Sequence, residues 1–154
     1  MTEVDNIVAL RAYTPIIDAL VYVKRYYAGI EGGGGLFMFK EMISGDTESI
    51  AENYGTIILP NSNVQISPAG RWVRQYSGHL NITYFGVIKA KSTTLIDPPY
   101  GLSNAGRINT AIDYITLLDP YYSTRAGDLS LYFPSGSYWL NAPIVVKIAY
   151  FNDR

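Results

Sequence analysis

The segment AGIEGGGGLFMFKE, from Ala28 to Glu41, places four consecutive glycines between two apolar runs. The preceding run, ALVYVKRYYAG, is rich in β-branched and aromatic residues and predicts a strand from Leu20 to Tyr27. The following run, LFMFK, predicts a second strand from Leu36 to Glu41. The glycines are therefore predicted to form a turn, or a close approach of two backbones, between two strands.

A glycine run can also hold a phosphate group, but that chemistry requires a different context. A phosphate-binding loop needs a helix directly after the glycines, because the helix N-terminus supplies free N–H groups and partial positive charge. It also needs Gly-Lys-Ser/Thr or the spaced glycine pattern of dinucleotide-binding folds. Here Leu36 follows Gly35, Lys40 comes too late, and no helical pattern begins. The sequence therefore argues against a nucleotide-phosphate site.

The composition excludes several other kinds of site. The chain has 154 residues and a formal net charge of −1, so nothing in it indicates nucleic acid or an anionic membrane as a partner. It has no cysteine and one histidine, His79, which excludes thiolate metal sites and argues against a histidine-based one. Glu3 and Asp5 stand where a secretory signal would be basic, and no apolar run approaches the roughly 20 residues of a membrane span. We expect a soluble protein without a signal peptide.

The remaining first half predicts short elements separated by turns. Asp5 or Asn6 is expected to cap a short helix. Residues 44–55 predict a loop or a single helical turn, residues 55–60 a strand, and residues 70–87 two strand-like pieces around Ser77-Gly78. Residues 88–104, which contain two adjacent prolines, predict a linker.

One strong helix is predicted in the second half, from Ser103 to Leu118. Its branched apolar residues recur at helical spacing on one face: Ile108, Ile112, Ile115 and Leu118. Ser103 or Asn104 is expected to cap it, and Asp119-Pro120 to end it. Apolar residues then alternate in a pattern typical of short strands: Leu129, Leu131, Phe133, Tyr138, Leu140, Ile144 and Val146. Because a final strand would leave an unpaired edge, we expect the front of a longer polypeptide.

The carboxylates do not form a recognisable catalytic set. Acid–base chemistry on a glycosidic bond needs two carboxylates at a fixed separation. Asp97 lies in the predicted linker, Asp113 and Asp119 on or beside the helix, and Asp128 before a strand. Nothing in the sequence brings two of them together, so we predict no catalytic residue, and likewise no cofactor or metal site.

Other polar residues favour structural interpretations. His79 is expected to be a turn residue, since no second histidine or cysteine accompanies it. Trp72 is predicted to lie in the core, with Arg71 and Arg74 facing water or a neighbouring subunit; stacking of Arg71 on sugar is the alternative. Asn81 to Thr83 matches the glycan acceptor pattern by chance in a chain without a secretion signal.

The second half resembles the first coils of pectate-lyase-like right-handed parallel β-helices. In that family a helix caps the solenoid, and a stretch of the type G-x-x-x-x-F-P-x-G-x-Y makes its first turn. The matching positions here are Gly127, Phe133, Pro134, Gly136, Tyr138, Ile108 and Ile112. The acidic pair that usually opens the capping helix is replaced by SNAG, residues 103–106.

The first half resembles the amino-terminal region of bacteriophage tailspikes and related surface-polysaccharide depolymerases. The similar pieces are GGGGLFMFK, YGTIILP and GRWVRQYSGHLNITYFGV, and the ordered resemblance runs from Val4 to Lys147. His79 stands where proline is common, and Thr83-Tyr84 where a basic residue and tryptophan are common. These departures affect packing rather than the family.

The resemblance implies a mainly β fold with one clear helix. Residues 1–87 would form a small β-rich domain, 88–104 a linker, and 105–154 the capping helix and the start of the β-helix. It further implies a homotrimer in the virion, made in the host cytoplasm and bound to a phage tail or baseplate protein. Host surface polysaccharide would be reached, and cut, by coils beyond Arg154.

Two alternatives remain open at this point. In one, this portion belongs to a capsule or exopolysaccharide depolymerase, a glycoside hydrolase or a lyase, and contacts sugar directly. In the other, the chain is a free-standing carbohydrate-binding β domain.

Overall fold

The computed structural model describes residues 1–42, 51–91, 96–118 and 130–146. Its seven strands and two α-helices, with one 3-10 helix, follow in chain order. They are β1 (Thr2–Val4), α1 (Ile7–Ala12), β2 (Leu20–Val23), β3 (Gly35–Glu41), β4 (Ile57–Ile58), β5 (Gly70–Gln75), β6 (Leu80–Asn81), the 3-10 helix (Ile82–Phe85), α2 (Asn104–Leu118) and β7 (Leu131–Tyr132). No helix in these ranges is long and apolar enough to cross a membrane.

The first half is built on a five-stranded sheet with the order β1-β2-β3-β5-β4. Strands β2, β3, β5 and β4 pair antiparallel, whereas β1 runs parallel to β2. A parallel pair needs a crossover connection, and α1 lies in the segment that joins β1 to β2. Asn6 caps α1 by accepting a hydrogen bond from the Ala9 N–H at 3.1 Å. The predicted small, mainly antiparallel β domain and its short helix are confirmed.

One face of this sheet carries the core. Alternate residues of the paired strands are fully buried there, and α1 covers them with Ile7 and Leu10. The buried strand residues are Val21, Val23, Phe37, Phe39, Ile58 and Trp72. On the opposite face Leu20 and Tyr22 are 40% and 39% exposed. This period-two alternation is the one that the apolar pattern of the sequence predicts.

The second half packs, through α2, against the first half of the chain, residues 1–87, which we call the sheet domain. Ala111 contacts Leu80 and Phe85, while Ile108 contacts Ile82 and Val87. Ser103 receives hydrogen bonds from the first turn of α2: Gly106 N–H to its hydroxyl at 3.3 Å and Arg107 N–H to its carbonyl at 3.0 Å. The predicted long helix is confirmed at its N-terminal end; Asp119-Pro120, its predicted stop, lies outside the described residues.

Several predicted strands are shorter than expected or absent. The first ends at Val23 rather than Tyr27. Residues 82–85 form a 3-10 helix instead of a strand, because Asn81 caps it by accepting from the Thr83 N–H at 2.9 Å and Gly86 ends it in the left-handed region. Strand β4 keeps only two residues of the predicted 55–60.

The apolar pattern after α2 gives one strand, β7, within residues 130–146. It pairs parallel with β6, Leu80 opposite Leu131 and Asn81 opposite Tyr132. Residues 133–146 form no strand, and α2 side chains hold that segment: Asn104 donates to the Trp139 carbonyl at 3.1 Å, and Asn109 to the Pro143 carbonyl at 3.2 Å. The predicted strand residue Leu129 lies outside the described ranges, as does most of the segment 44–55.

Candidate functional site

The most elaborate polar structure in the described residues is a pair of buried arginines at the junction of the sheet and α2. Arg74, on β5, has 3% of its surface exposed, and Arg107, on α2, has 5%. A buried cation is costly unless hydrogen bonds and charge compensate it. The hydrogen-bond and aromatic partners of these two side chains must therefore compensate the cost of burying their charge.

Arg74 is held by backbone carbonyls from the segments that precede β3 and β4, the two strands next to β5. Its Nη1 and Nη2 donate to the carbonyls of Gly34 and Gly33 at 2.6 and 2.9 Å, and its Nε donates to the Gly55 carbonyl at 2.9 Å. The guanidinium also stacks between the Phe37 and Tyr84 rings, 4.4 and 4.3 Å from their centroids. These contacts connect the glycine run to β5.

The glycines let this arginine approach the backbone. A Cβ at Gly35, whose φ is +141°, would lie 2.7 Å from Nη1 of Arg74. A Cβ at Gly34 would lie 2.6 Å from the Val23 carbonyl oxygen. Side chains at either position would clash, so the run is a surface of bare peptide against which the arginine docks. The predicted close backbone approach is confirmed at Gly34, which lies against the Val23 and Lys24 carbonyls, while at Gly35 the close neighbour is the Arg74 side chain.

Arg107 binds α2 to the sheet domain in a similar way. Its Nη1 donates to the Phe85 carbonyl at 2.8 Å and to the Tyr26 hydroxyl at 3.2 Å. Its Nε and Nη2 donate to the Leu102 and Tyr100 carbonyls at 2.9 and 2.7 Å. The side chain thus connects the helix, the segment before it and the sheet domain.

Asn104 supplies a second connection at the first residue of α2. It is fully buried, and its amide both accepts from the Ile88 N–H and donates to the Ile88 carbonyl, each at 2.9 Å. The same amide nitrogen reaches the Trp139 carbonyl. The Asn104 amide thus satisfies both the N–H and the carbonyl of Ile88, as the backbone of a neighbouring strand would.

Burial changes the proton affinity of several groups here. Removal from water lowers the pKa of Arg74 to about 10, although nearby tyrosines oppose the change. Burial also raises the pKa of Tyr26 and Tyr27, with the Arg107 charge acting in the opposite direction. The Tyr26 hydroxyl donates to the Tyr54 carbonyl at 2.7 Å, whereas the Tyr27 hydroxyl has no hydrogen-bond partner among the described residues.

The arginines flanking Trp72 do not lie where the sequence predicts. Trp72 is fully buried, as expected, but Arg71 and Arg74 are buried too, at 1% and 3% exposure, and do not face water. Glycines and ring faces make room for Arg74, and Arg71 donates to the Glu41 carbonyl at 3.3 Å. Arg74 follows Trp72 by two residues and therefore lies on the same buried face of β5, opposite Phe37. The alternation of exposed and buried residues fails only at Arg71, which is buried on the other face.

The other candidate residues are not assembled into a catalytic set. His79 is exposed and contacts the Ser130 hydroxyl and the Tyr132 ring. Asp97 and Asp113 are exposed on different elements, and Asp119 and Asp128 lie outside the described residues. The described part of the chain also has no group of three or more His, Asp or Glu side chains that could hold a metal ion.

Arg107 and Asn53 escaped prediction from the sequence, and Asn104 was predicted only as a possible helix cap. Asn53 is buried and accepts from the N–H groups of Gly55, Thr56 and Ile57 at 2.9–3.0 Å, which forms the turn into β4. A polar residue at the start of a helix signals a cap, and the Asn-Tyr-Gly sequence signals a turn. No local signal shows that Asn104 and Arg107 point inward.

The sheet domain is similar to a known family. Residues 3–77, just under half of the chain, match the model of the phage tail protein small four-stranded beta-sheet domain. The matched range includes the glycine run and Arg74. Among curated proteins, none matches the chain.

Most of the chain shares its fold with several solved structures. WceF of Pantoea stewartii, a glycan biofilm modifying enzyme with a bacteriophage tailspike-like parallel β-helix fold, aligns with 88% of this chain and 16% of its own, at 19% identity and a TM-score of 0.59. The tailspike gp49 from Acinetobacter baumannii bacteriophage Fri1, a capsular polysaccharide depolymerase, aligns with 77% of this chain and 18% of its own, at 20% identity and a TM-score of 0.53.

A third similar structure is full-length tailspike protein 2 from Escherichia coli O157:H7 bacteriophage CAB120. It aligns with 74% of this chain and 13% of its own, at 19% identity and a TM-score of 0.51. The chain therefore spans less than a fifth of the length of these proteins. The predicted resemblance to the amino-terminal region of tailspikes is confirmed by the family match and the shared fold.

Proposed function

We propose that this chain is the structural amino-terminal segment of a phage tailspike, located in the virion tail. It caps and orients a downstream β-helix that degrades polysaccharide, and it connects that β-helix to a tail or baseplate protein. The observation that carries the proposal is the anchoring of α2 by Arg107. Two hydrogen bonds from one guanidinium, to the Tyr26 hydroxyl and the Phe85 carbonyl, fix the helix to the sheet domain, and two more hold the segment before the helix.

The pairing of β6 with β7 supports a β-helix that begins in this chain. These strands are parallel although α2 and a long stretch of chain separate them. A parallel pair needs a crossover connection, and here the crossover contains α2, so the first described strand after the helix lies parallel to a strand of the preceding domain. In this proposal residues 105–154 are the capping helix and the first coil, residues 1–87 the neck domain and residues 88–104 its linker.

The exposed apolar surface after β7 supports burial by more chain and further subunits. Its members are 38–64% exposed: Tyr132, Phe133, Leu140, Val145 and Val146. Burial of one such side chain stabilises a fold by about 1.5–3 kcal/mol, so leaving them in water would sacrifice much of a domain's margin. We propose a homotrimer closed around one axis. Light scattering of the full-length protein should give three chains per particle, and a stable monomer at micromolar concentration would contradict this.

The activity of the parent protein lies, in this proposal, in the coils that follow. Residues 1–154 should release no oligosaccharide from bacterial capsule, because the described carboxylates are not paired as glycosidic chemistry requires. The measurement is chromatography of capsule digests with this chain and with the full-length protein. Release by this chain, abolished by Asp113→Asn or Asp128→Asn, would favour the sugar-cutting alternative instead.

A further inference from the structure

A cavity of about 280 Å³ lies beside the junction between the sheet domain and α2. Phe85, Leu102 and the backbone of Gly101 line it, together with Tyr54, which is 47% exposed, and Thr110 on α2. The lining is largely apolar, and Arg107 is its one charged group. The side chains whose hydrogen bonds are described above leave this cavity unfilled.

The charge of Arg107 is not neutralised by a carboxylate among the described residues. The ion pairs there are Arg11 with Glu52, Lys24 with Glu3, and Arg25 with Asp5. A guanidinium has five N–H donors, and Arg107 uses four of them on oxygens of the chain. The remaining donor is on Nη2, which bonds only the Tyr100 carbonyl.

Gly101 leaves this nitrogen open to the cavity. Its φ is +79°, and a Cβ there would lie 2.7 Å from Nη2 of Arg107. The other polar side chains of the lining offer less to a ligand. Asn53 Oδ1 already accepts three backbone N–H groups, and the Thr110 hydroxyl donates to the Gly106 carbonyl at 3.0 Å.

We propose that this cavity binds a carboxylate carried on a compact ring that has an apolar face. One carboxylate oxygen accepts from Nη2 of Arg107, and the ring packs against Phe85 and Leu102. A charge-assisted bond in a partly dehydrated site is stronger than a neutral one, so the anion is preferred over a neutral alcohol of the same shape. A free organic acid and an acidic sugar share this chemistry. The inference does not depend on the tailspike proposal.

Calorimetric titration of the full protein tests this inference with two acids and their neutral counterparts. Benzoate is compared with benzyl alcohol, and D-glucuronate with methyl glucoside. The decisive variant is Gly101→Ala, which covers Nη2. Its matched control is Gly78→Ala, because Gly78 has a φ of +75° and open space around its Cβ position, so it carries the same strain without filling a site.

We expect saturable binding of at least one acid, with the neutral counterpart weaker by roughly tenfold or more, as for loss of a bond to a charged group. Gly101→Ala should weaken binding of the acid by a similar factor, and Gly78→Ala should not.

The acid that binds more tightly identifies the ligand as an apolar acid or an acidic sugar. If Gly101→Ala does not fold, shifts of the Leu102 and Thr110 methyl resonances in the unmodified protein locate the acid. Absence of saturable acid binding, equal binding of the neutral partner, unchanged affinity in a folded Gly101→Ala protein, or unmoved methyl resonances would overturn the proposal.

Discussion

At the scale of single residues, Arg74 contacts the glycine run directly and explains the glycine at position 35. Its guanidinium uses the dipoles of the Gly33, Gly34 and Gly55 carbonyls and two aromatic faces in place of a carboxylate. A planar fork of donors suits this arrangement, whereas the point charge of lysine does not. The glycine run thus forms a structural contact with Arg74, which lies about forty residues later in the chain.

Replacing Arg74 by lysine should destabilise the domain strongly although it keeps the charge. Lysine cannot reach all three carbonyls, so we expect a loss of about 3 kcal/mol, equivalent to a fall of roughly 10 °C in melting temperature. Arg25→Lys is the control: Arg25 is partly exposed and its ion pair with Asp5 is 3.4 Å long, so its melting temperature should hardly change. Equal thermal stability of the two variants would show that Arg74 is not the anchor.

The adjacent tyrosines Tyr26 and Tyr27 should respond oppositely to removal of the hydroxyl. Tyr26→Phe loses the bonds to the Tyr54 carbonyl and to Arg107, and should cost about 1–2 kcal/mol. Tyr27→Phe removes a buried hydroxyl without a described partner, and should be neutral or stabilising. Urea unfolding measures both changes, and a larger loss for Tyr27→Phe would contradict the assignment.

The raised pKa values of these tyrosines also predict a dependence on pH. In the unfolded chain a tyrosine titrates near its ordinary pKa of about 10, and burial raises the pKa in the fold. Each tyrosine then holds its proton more tightly in the folded state than in the unfolded state. The free energy of unfolding that this contributes is fully present below pH ~10 and falls as the pH rises above it. Tyr27→Phe should make this alkaline loss shallower in urea unfolding between pH 8 and 11; an unchanged slope would argue against a buried Tyr27.

At the scale of elements, sequence patterns predicted the regular pieces and missed what joins them. The spacing of Ile108 and Ile112 placed α2, and alternation placed β3, because both follow from burying one face. Arg74 was misplaced, Arg107 was missed and Asn104 was predicted only as a possible cap, because each has partners from distant parts of the chain that only the tertiary fold brings close. The strands predicted over 133–146 were wrong since Asn104 and Asn109 hold that segment without a ladder.

Alanine substitution of the two asparagines of α2 compares the contribution of a buried and an exposed side chain to the stability of this junction. Asn104→Ala should cost about 2–3 kcal/mol, because it leaves the N–H and the carbonyl of Ile88 buried without partners. Asn109 makes the same kind of bonds, to the Pro143 carbonyl and from the Val145 N–H, but at an exposed site. Asn109→Ala should therefore cost less than about 1 kcal/mol. Thermal unfolding compares them; a reversed order would place the anchor elsewhere.

At the scale of the whole molecule, the sheet domain and α2 form a continuous packed unit. The contacts of Phe85 with Ala111 and of Val87 with Ile108 cross the boundary between the proposed neck domain and the helical segment. Rotation of α2 relative to the sheet domain would break the bonds of Arg107 to the Tyr26 hydroxyl and the Phe85 carbonyl. The apolar side chains left exposed after β7 mark where more structure is expected.

The most direct test of the central claim is an electron cryomicroscopy structure of the protein together with the chain that follows Arg154. We expect the sheet domain at one end of a parallel β-helix, with α2 across that end and Leu131–Tyr132 hydrogen-bonded in its first coil. Arg107 should keep its bonds to Phe85 and Tyr100. A downstream fold other than a parallel β-helix, or an α2 detached from the sheet domain, would contradict the account.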